Sequence, residues 1–221
     1  MFYQSIRIQI AIITKLINNT KFKIDKGDHL LDTHTHILWN IDDGSKNQCM
    51  SLQMLEIAAR SGTKAIFATP HVIERANKPS WEEIKEKTQQ LRQLCAEAQI
   101  DIMLYPGAEV QMNWELLPEL GAAGAYCLNG GRYLLVELPA AEIPAYADEF
   151  WYELELKGIT PILAHPERYQ QLRENPDLLL LWRRRGMLMQ CNSGSFTGMF
   201  GSSVCENAKV LLANGLVDLL G

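Results

Sequence analysis

Leu30-Leu31-Asp32-Thr33-His34-Thr35-His36 is the stretch on which the reading of this chain turns. Two apolar residues open it, so it reads as a strand that begins buried. Alternate residues of a strand point to one face. Asp32, His34 and His36 are therefore expected to project together, two imidazoles and a carboxylate making half a shell for a divalent cation. Asp42-Asp43-Gly44 follows closely and adds acids on the other side. A solvated pair of histidines at a strand end is the plainer alternative, and acids on both sides argue against it.

Working outward, strand-like and helix-like segments alternate. Predicted strands cover Leu30–His36, Lys64–Thr69, Asp101–Tyr105, Tyr133–Leu138, Ile159–Ala164, Met187–Cys191 and Leu216–Leu220. Between them lie predicted helices over Ser45–Arg60, from Ser80 to about Ala98, from about Ala145 to Lys157, from Asn175-Pro176, and from about Ser203 to Asn214. Ser80 with Glu83 makes a capping box, and Pro176 suits the first helical position. Such alternation predicts parallel strands covered by helices, and seven strands suggest a closed or nearly closed barrel. His34, His36, His71, Glu109, Glu137 and His165 all fall at or near predicted strand C-termini, the face where α/β barrels carry their chemistry. An open doubly wound sheet would gather them at one switch point instead.

The 221 residues suffice for one domain, and 47% hydrophobic with 21% charged residues is ordinary for a globular protein. A net charge of −5 argues against a nucleic-acid partner. The five cysteines (Cys49, Cys95, Cys127, Cys191 and Cys205) form no Cys-x-x-Cys pair, which suits a reducing, cytoplasmic compartment. None has Arg six positions on, so cysteine-phosphatase chemistry is excluded; Cys127 with Arg132 is one residue short. Residues 1–29 read as an N-terminal extension in which isoleucines fit strand and helix spacing alike. Gln9, Thr14 and Lys15 interrupt its apolar run well before the ~20 residues a membrane span needs.

Each candidate has a bland alternative. Asp43 precedes Gly44 and could serve only a turn. His71 and His165 each end a strand beside a proline, and lone histidines there are commonly structural. Glu137 is different, because a carboxylate inside Leu134-Leu135-Val136-Glu137-Leu138 is costly unless paired or metal-bound. Imidazole with carboxylate suits zinc, manganese or iron. The seven candidates, His34, His36, Asp43, His71, Glu109, Glu137 and His165, exceed the needs of one ion and imply two or three. Clustered divalent ions activate water and clamp phosphate oxygens, and Arg168 could hold those oxygens in bidentate fashion. The run Trp182-Arg183-Arg184-Arg185 reads as the basic last turn of a helix.

The set Asp32-Thr-His-Thr-His36 with Asp42-Asp43-Gly44, Thr69-Pro-His71, Gly107-Ala-Glu109, Val136-Glu137-Leu-Pro139, Ala164-His-Pro-Glu-Arg-Tyr169 and Asn192-Ser-Gly-Ser195 resembles the polymerase-and-histidinol-phosphatase (PHP) superfamily. More closely it resembles the bacterial manganese-dependent tyrosine-protein phosphatases of capsule and exopolysaccharide operons. The resemblance implies a distorted seven-stranded (β/α) barrel with three metals, manganese among them. It makes the seven candidates ligands and sets Arg168, Asp43 and His71 to the chemistry. The implied partner is a phosphotyrosine protein, typically the tail of a tyrosine kinase; a small phosphate such as histidinol phosphate is the alternative substrate. Members continue after the last strand with Ser/Thr-Asp-x-His, whereas this sequence reads Val217-Asp218-Leu219-Leu220-Gly221 and stops; Asp218 falls within the strand, before the motif's position, and is no substitute. The expected plan is thus an extension over 1–29 and a PHP domain over 30–221 lacking its last strand end and closing helix. An inactive phosphoprotein-binding module is the competing expectation.

Overall fold

The computed structural model describes residues 30–221; the extension expected over 1–29 lies outside them. Nine strands are present among the described residues, all paired in parallel. They are β1 (Leu30–Thr35), β2 (Thr63–Ala68), β3 (His71–Val72), β4 (Met103–Pro106), β5 (Glu109–Gln111), β6 (Tyr133–Glu137), β7 (Thr160–Ala164), β8 (Leu188–Cys191) and β9 (Leu219–Leu220). One sheet has the order β1-β2-β4, the other β3-β5-β6-β7-β8-β9.

The excess over the expected seven has a local cause. The second and third strands each break, at Thr69-Pro70 and at Gly107-Ala108. Pro70 has no N–H for a ladder, yet hydrogen bonds cross both breaks: Thr69 N to Thr35 O (2.9 Å), Gly107 N to Ala68 O (2.9 Å) and Glu109 N to Pro70 O (3.0 Å). β3 and β5 thus continue β2 and β4 after a kink. A Cβ on Gly107 would lie 2.6 Å from Leu128 Cδ2, so the second break admits only glycine without repacking.

The covering helices are α1 (Gln48–Arg60), α2 (Trp81–Glu97), α3 (Ala147–Leu156), α4 (Gln170–Glu174), α5 (Pro176–Arg184), α6 (Ser193–Phe196) and α7 (Ser202–Ala213). α1 starts later than expected because Asn47, not Ser45, is its cap, accepting from Met50 N at 2.9 Å. Ser80 caps α2 as expected, accepting from Glu83 N at 3.1 Å. The buried face of α2, Trp81, Ile84, Thr88, Leu91 and Cys95, follows the three-and-four spacing of a helix on a core.

Period two divides the apolar residues into two cores. Ala65, Phe67, Tyr105, Tyr133, Leu135, Ile162, Ala164 and Leu219, with Leu128, make an inner cluster between the strands. Their neighbours Ile66, Ala68, Leu104, Leu134, Val136 and Leu163 join the larger cluster under the helices. Glu137 is two residues beyond Leu135 and four beyond Tyr133, so it projects inward just past the plug. No helix among the described residues is long and apolar enough to cross a membrane.

Candidate metal centre

Above the inner cluster lies a cavity of about 1030 Å³, and all seven candidate ligands together with Arg168 line it. Glu109 is the hub. It is 1% exposed, and its Oε2 lies 3.0 Å from His34 Nε2, 3.2 Å from His36 Nε2 and 3.2 Å from His71 Nδ1. Its Oε1 is 2.7 Å from His165 Nε2. His34 Nε2 and His36 Nε2 are themselves 3.1 Å apart. Glu109 Oε2 and His71 Nδ1 are buried without a well-formed hydrogen bond. Lone pairs from four side chains thus converge on one volume, as they would around cations.

Three groups have ligand atoms close enough to share an ion: His34, Glu109 and His165; His36, Asp43 and His71; His71, Glu109 and Glu137. Glu109 and His71 each belong to two of them. Glu137 Oε1 is 3.2 Å from His71 Nδ1. Asp43 stands on the open side, its side chain 80% exposed, with Oδ1 3.8 Å from both His36 Nδ1 and His71 Nε2. Imidazoles and carboxylates without thiolate make a borderline-to-hard donor set that fits manganese, iron or zinc.

The half-shell expected from β1 needs correction. His34 and His36 converge, but Asp32 does not join them. The register of β1 on β2 breaks between Asp32 and Thr35, and Asp32 Oδ1 instead accepts from its neighbour His34 N at 3.0 Å. Burial raises the Asp32 pKa. The carboxylate of the shell comes from Glu109, on another strand.

A second layer orients the imidazoles. Asp42 Oδ2 accepts from His36 Nδ1 (2.7 Å) and from His71 N (2.9 Å), and its Oδ1 accepts from Gly44 N (3.0 Å). Gln190 Oε1 is 3.0 Å from His34 Nδ1. With Nδ1 of both rings so engaged, Nε2 is turned to the cavity. Burial opposes charge on His36, but its bonds to Asp42 and Glu109 outweigh this and raise it to about 10. Burial likewise resists ionisation of Glu109, yet His34, His165 and His36 hold it well below the usual carboxylate range. Asp42 is lowered in the same way, against its burial, by His36 and two backbone N–H groups.

Sequence reading passed over Gln190, although the argument that singled out Glu137 applied equally: a polar residue inside Met187-Leu188-Met189-Gln190-Cys191 should have work to do. Asp42 was visible only as the neighbour of Asp43. Asp218 is engaged elsewhere, since Arg183 Nη2 donates to its Oδ1 at 3.0 Å and Met189 N to its Oδ2 at 3.0 Å. Arg183, half-buried, therefore pairs with a buried carboxylate and is more than a simple basic helix end. Arg168 sits on the short turn after β7 with its guanidinium 4.8 Å from the Phe200 ring centroid.

The chain is similar to several known proteins. Residues 30–221 match the family described as capsular polysaccharide synthesis, CpsB/CapC. The tyrosine-protein phosphatase YwqE of Bacillus subtilis (strain 168) is 35% identical over 191 residues, 86% of this chain and 75% of that protein. The tyrosine-protein phosphatase CpsB of Streptococcus pneumoniae is 29% identical over 164 residues, 74% of this chain and 68% of that protein. A crystal structure from work on YwqE and CpsB, described as unique metal-dependent tyrosine phosphatases, superposes with a TM-score of 0.81 at 34% identity, covering 87% of this chain and 78% of that one. A Listeria monocytogenes structure only 11% identical shares the fold, with a TM-score of 0.51 over 87% of this chain and 93% of that one. Matched over all its described residues, the chain belongs to the CpsB/CapC capsular polysaccharide synthesis family.

Proposed function

We propose that this chain is a metal-dependent phosphoester hydrolase that removes phosphate from tyrosine in a protein. The observation that carries the reading is Glu109 Oε2, buried and facing three imidazole nitrogens at 3.0–3.2 Å without a well-formed hydrogen bond. The names of the relatives YwqE and CpsB support the reaction class. In finer detail, His34, His36, Asp43, His71, Glu109, Glu137 and His165 hold two or three ions, manganese in the cell. The partner is the phosphotyrosine tail of a tyrosine kinase of capsule or exopolysaccharide synthesis, met in the cytoplasm. The two sheets are parts of one distorted seven-strand (β/α) barrel over residues 30–221, with 1–29 an extension. Hydrogen bonds across both breaks, and Thr33 Oγ1 donating to Leu220 O at 2.9 Å between first and last strands, support that arrangement.

Divalent ions bound here would polarise phosphoryl oxygens and lower the pKa of water. The chain's own residues do the rest. Glu109 uses both oxygens, Oε2 toward His34, His36 and His71 and Oε1 toward His165, so it ties two ligand groups together. Asp42 holds His36 Nδ1–H and Gln190 holds His34 Nδ1–H, keeping each Nε2 lone pair inward. Asp43, exposed beside His71, would hold a proton from the attacking water on Oδ2, since Oδ1 is the oxygen that faces His36 and His71. Arg168 offers a planar fork to the phosphate oxygens. The leaving tyrosine departs as a phenolate of pKa about 10, which asks for less proton donation than an alkoxide would.

The test is hydrolysis of a phosphotyrosine peptide with added manganese. Chelator, His34→Ala and Glu109→Gln should each abolish turnover. Rates indifferent to chelator or to His34→Ala would sink the reading. Faster turnover of histidinol phosphate would move the substrate within the class, and binding of the phosphopeptide without turnover by metal-loaded protein would favour the binding module.

A further inference from the structure

The cavity has two unlike sides. One carries the imidazoles and carboxylates, and Arg168 lies where the two meet. The other is the segment after α6, where Met199 is 74% exposed and Phe200 38% exposed, both lining the same cavity. Large apolar side chains left open at the rim of a charged site mark a place where something apolar is meant to sit.

This wall is held in place. Met199 N donates to Gly194 O at 3.1 Å. A Cβ on Gly194 would lie 3.0 Å from Met199 Sδ and 3.3 Å from Phe200 Cε2, so the segment folds back closely on that glycine. Below it, the fully buried Glu167 accepts from Asn192 N (2.9 Å) and Ser195 Oγ (2.7 Å), fixing α6 to the turn that carries Arg168. The Arg168 guanidinium stacks 4.8 Å from the Phe200 ring centroid, a contact in which the cation meets the negative face of the ring. The group assigned to phosphate and the aromatic wall are therefore immediate neighbours.

We infer that Phe200 and Met199 form the subsite for the aryl group of the ester, and that they make the site prefer phosphotyrosine to phosphoserine. This rests on the phosphatase reading above. In an aryl phosphate the ring carbon is bonded directly to the bridging oxygen, so a phosphate on Arg168 carries its ring against Phe200. An offset or edge-on ring pair and a sulfur–ring contact with Met199 then follow from the placement. In phosphoserine one methylene separates the oxygen from the peptide backbone, and the wall meets no ring.

The test measures kcat/KM on a phosphotyrosine peptide and on its phosphoserine counterpart, for wild type, Phe200→Ala, Phe200→Leu and Met199→Ala. Phe200→Ala should lower the tyrosine-to-serine ratio about tenfold, chiefly through KM on the tyrosine peptide. Phe200→Leu, which keeps apolar bulk, should fall in between. An equal loss on both peptides would mean that Phe200 only seats Arg168, and the subsite would be refuted; so would an unchanged ratio. Wild type inactive on both peptides would fell the phosphatase reading itself. In that event calorimetry decides the subsite: wild type should bind phenyl phosphate more tightly than inorganic phosphate and Phe200→Ala should not, and equal binding by wild type would overturn it.

Discussion

Replacing Asp42 by asparagine tests whether the second layer sets the metal affinity. Asp42 is 2% exposed at its side chain, and its two oxygens serve three donors: His36 Nδ1, His71 N and Gly44 N. An amide has one oxygen and one NH₂ in the same volume. If the oxygen stays with Gly44, the NH₂ faces the His71 N–H, donor against donor, and can only donate to His36 Nδ1. His36 must then carry its proton on Nε2, where the ion should bind. If the amide is flipped, His36 and His71 keep their acceptor and Gly44 loses its own. Either way one buried N–H is left without a partner, at a cost of about 1–3 kcal/mol in stability. The ligand ring is also held in the wrong tautomer in the first case, and in the second by a neutral, weaker acceptor; losing such an outer carboxylate costs about 10–100-fold in metal affinity. Manganese titration by calorimetry and denaturant unfolding in chelator measure the two effects separately. A variant that binds manganese within about threefold of wild type would refute the reasoning, because Asp42 would then be a loop residue with no hold on the imidazole.

Further predictions follow the same logic. Gly44→Ala should be damaging, since its Cβ would lie 2.1 Å from His36 O and 2.4 Å from His36 Cβ; the loop must move off the ligand, and manganese affinity should fall at least about tenfold. Asp218→Ala leaves Arg183 and Met189 N without their acceptor and should cost about 1–3 kcal/mol in denaturant unfolding, while leaving the manganese stoichiometry of the folded protein unchanged. His36 has its pKa raised from 6.5 to about 10, so its protonated form stabilises the metal-free fold. That contribution is complete below pH 6.5 and is lost as pH climbs through about 10, so in chelator the unfolding midpoint should drop over that window. Manganese must displace the proton, so its affinity should instead rise with pH, by up to about tenfold per unit per proton released; a flat profile would contradict the protonated His36.

The parts of the molecule that were legible in the sequence are those governed by short periods. Alternation in Leu134-Leu135-Val136-Glu137 separates inner core, outer core and site, and the price of a carboxylate among leucines points to Glu137 before any fold is known. The start of α2 was readable because Ser80 and Glu83 act within one turn. What stayed hidden depends on partners far along the chain. The kinks at Thr69-Pro70 and Gly107-Ala108 look like strand ends until the hydrogen bonds spanning them are seen. Asp42 and Asp43 are chemically identical in a string of letters, and only the turn at Gly44 buries one and exposes the other. Asp32 was misassigned because strict alternation ignores the slip of β1 against β2.

The hub arrangement around Glu109 also bears on how the protein comes to be made. Its four imidazoles come from β1 and the residue after it, the start of β3 and the end of β7, and first and last strands meet where Thr33 bonds Leu220, 187 residues away. Contacts so distant along the chain form late and slow folding. Before distant strands pair, the chain brings together only His34 and His36, fewer donors than the three or four protein ligands a bound divalent ion ordinarily takes. If the site binds its ions as proposed, it would do so only in molecules whose strands have already come together.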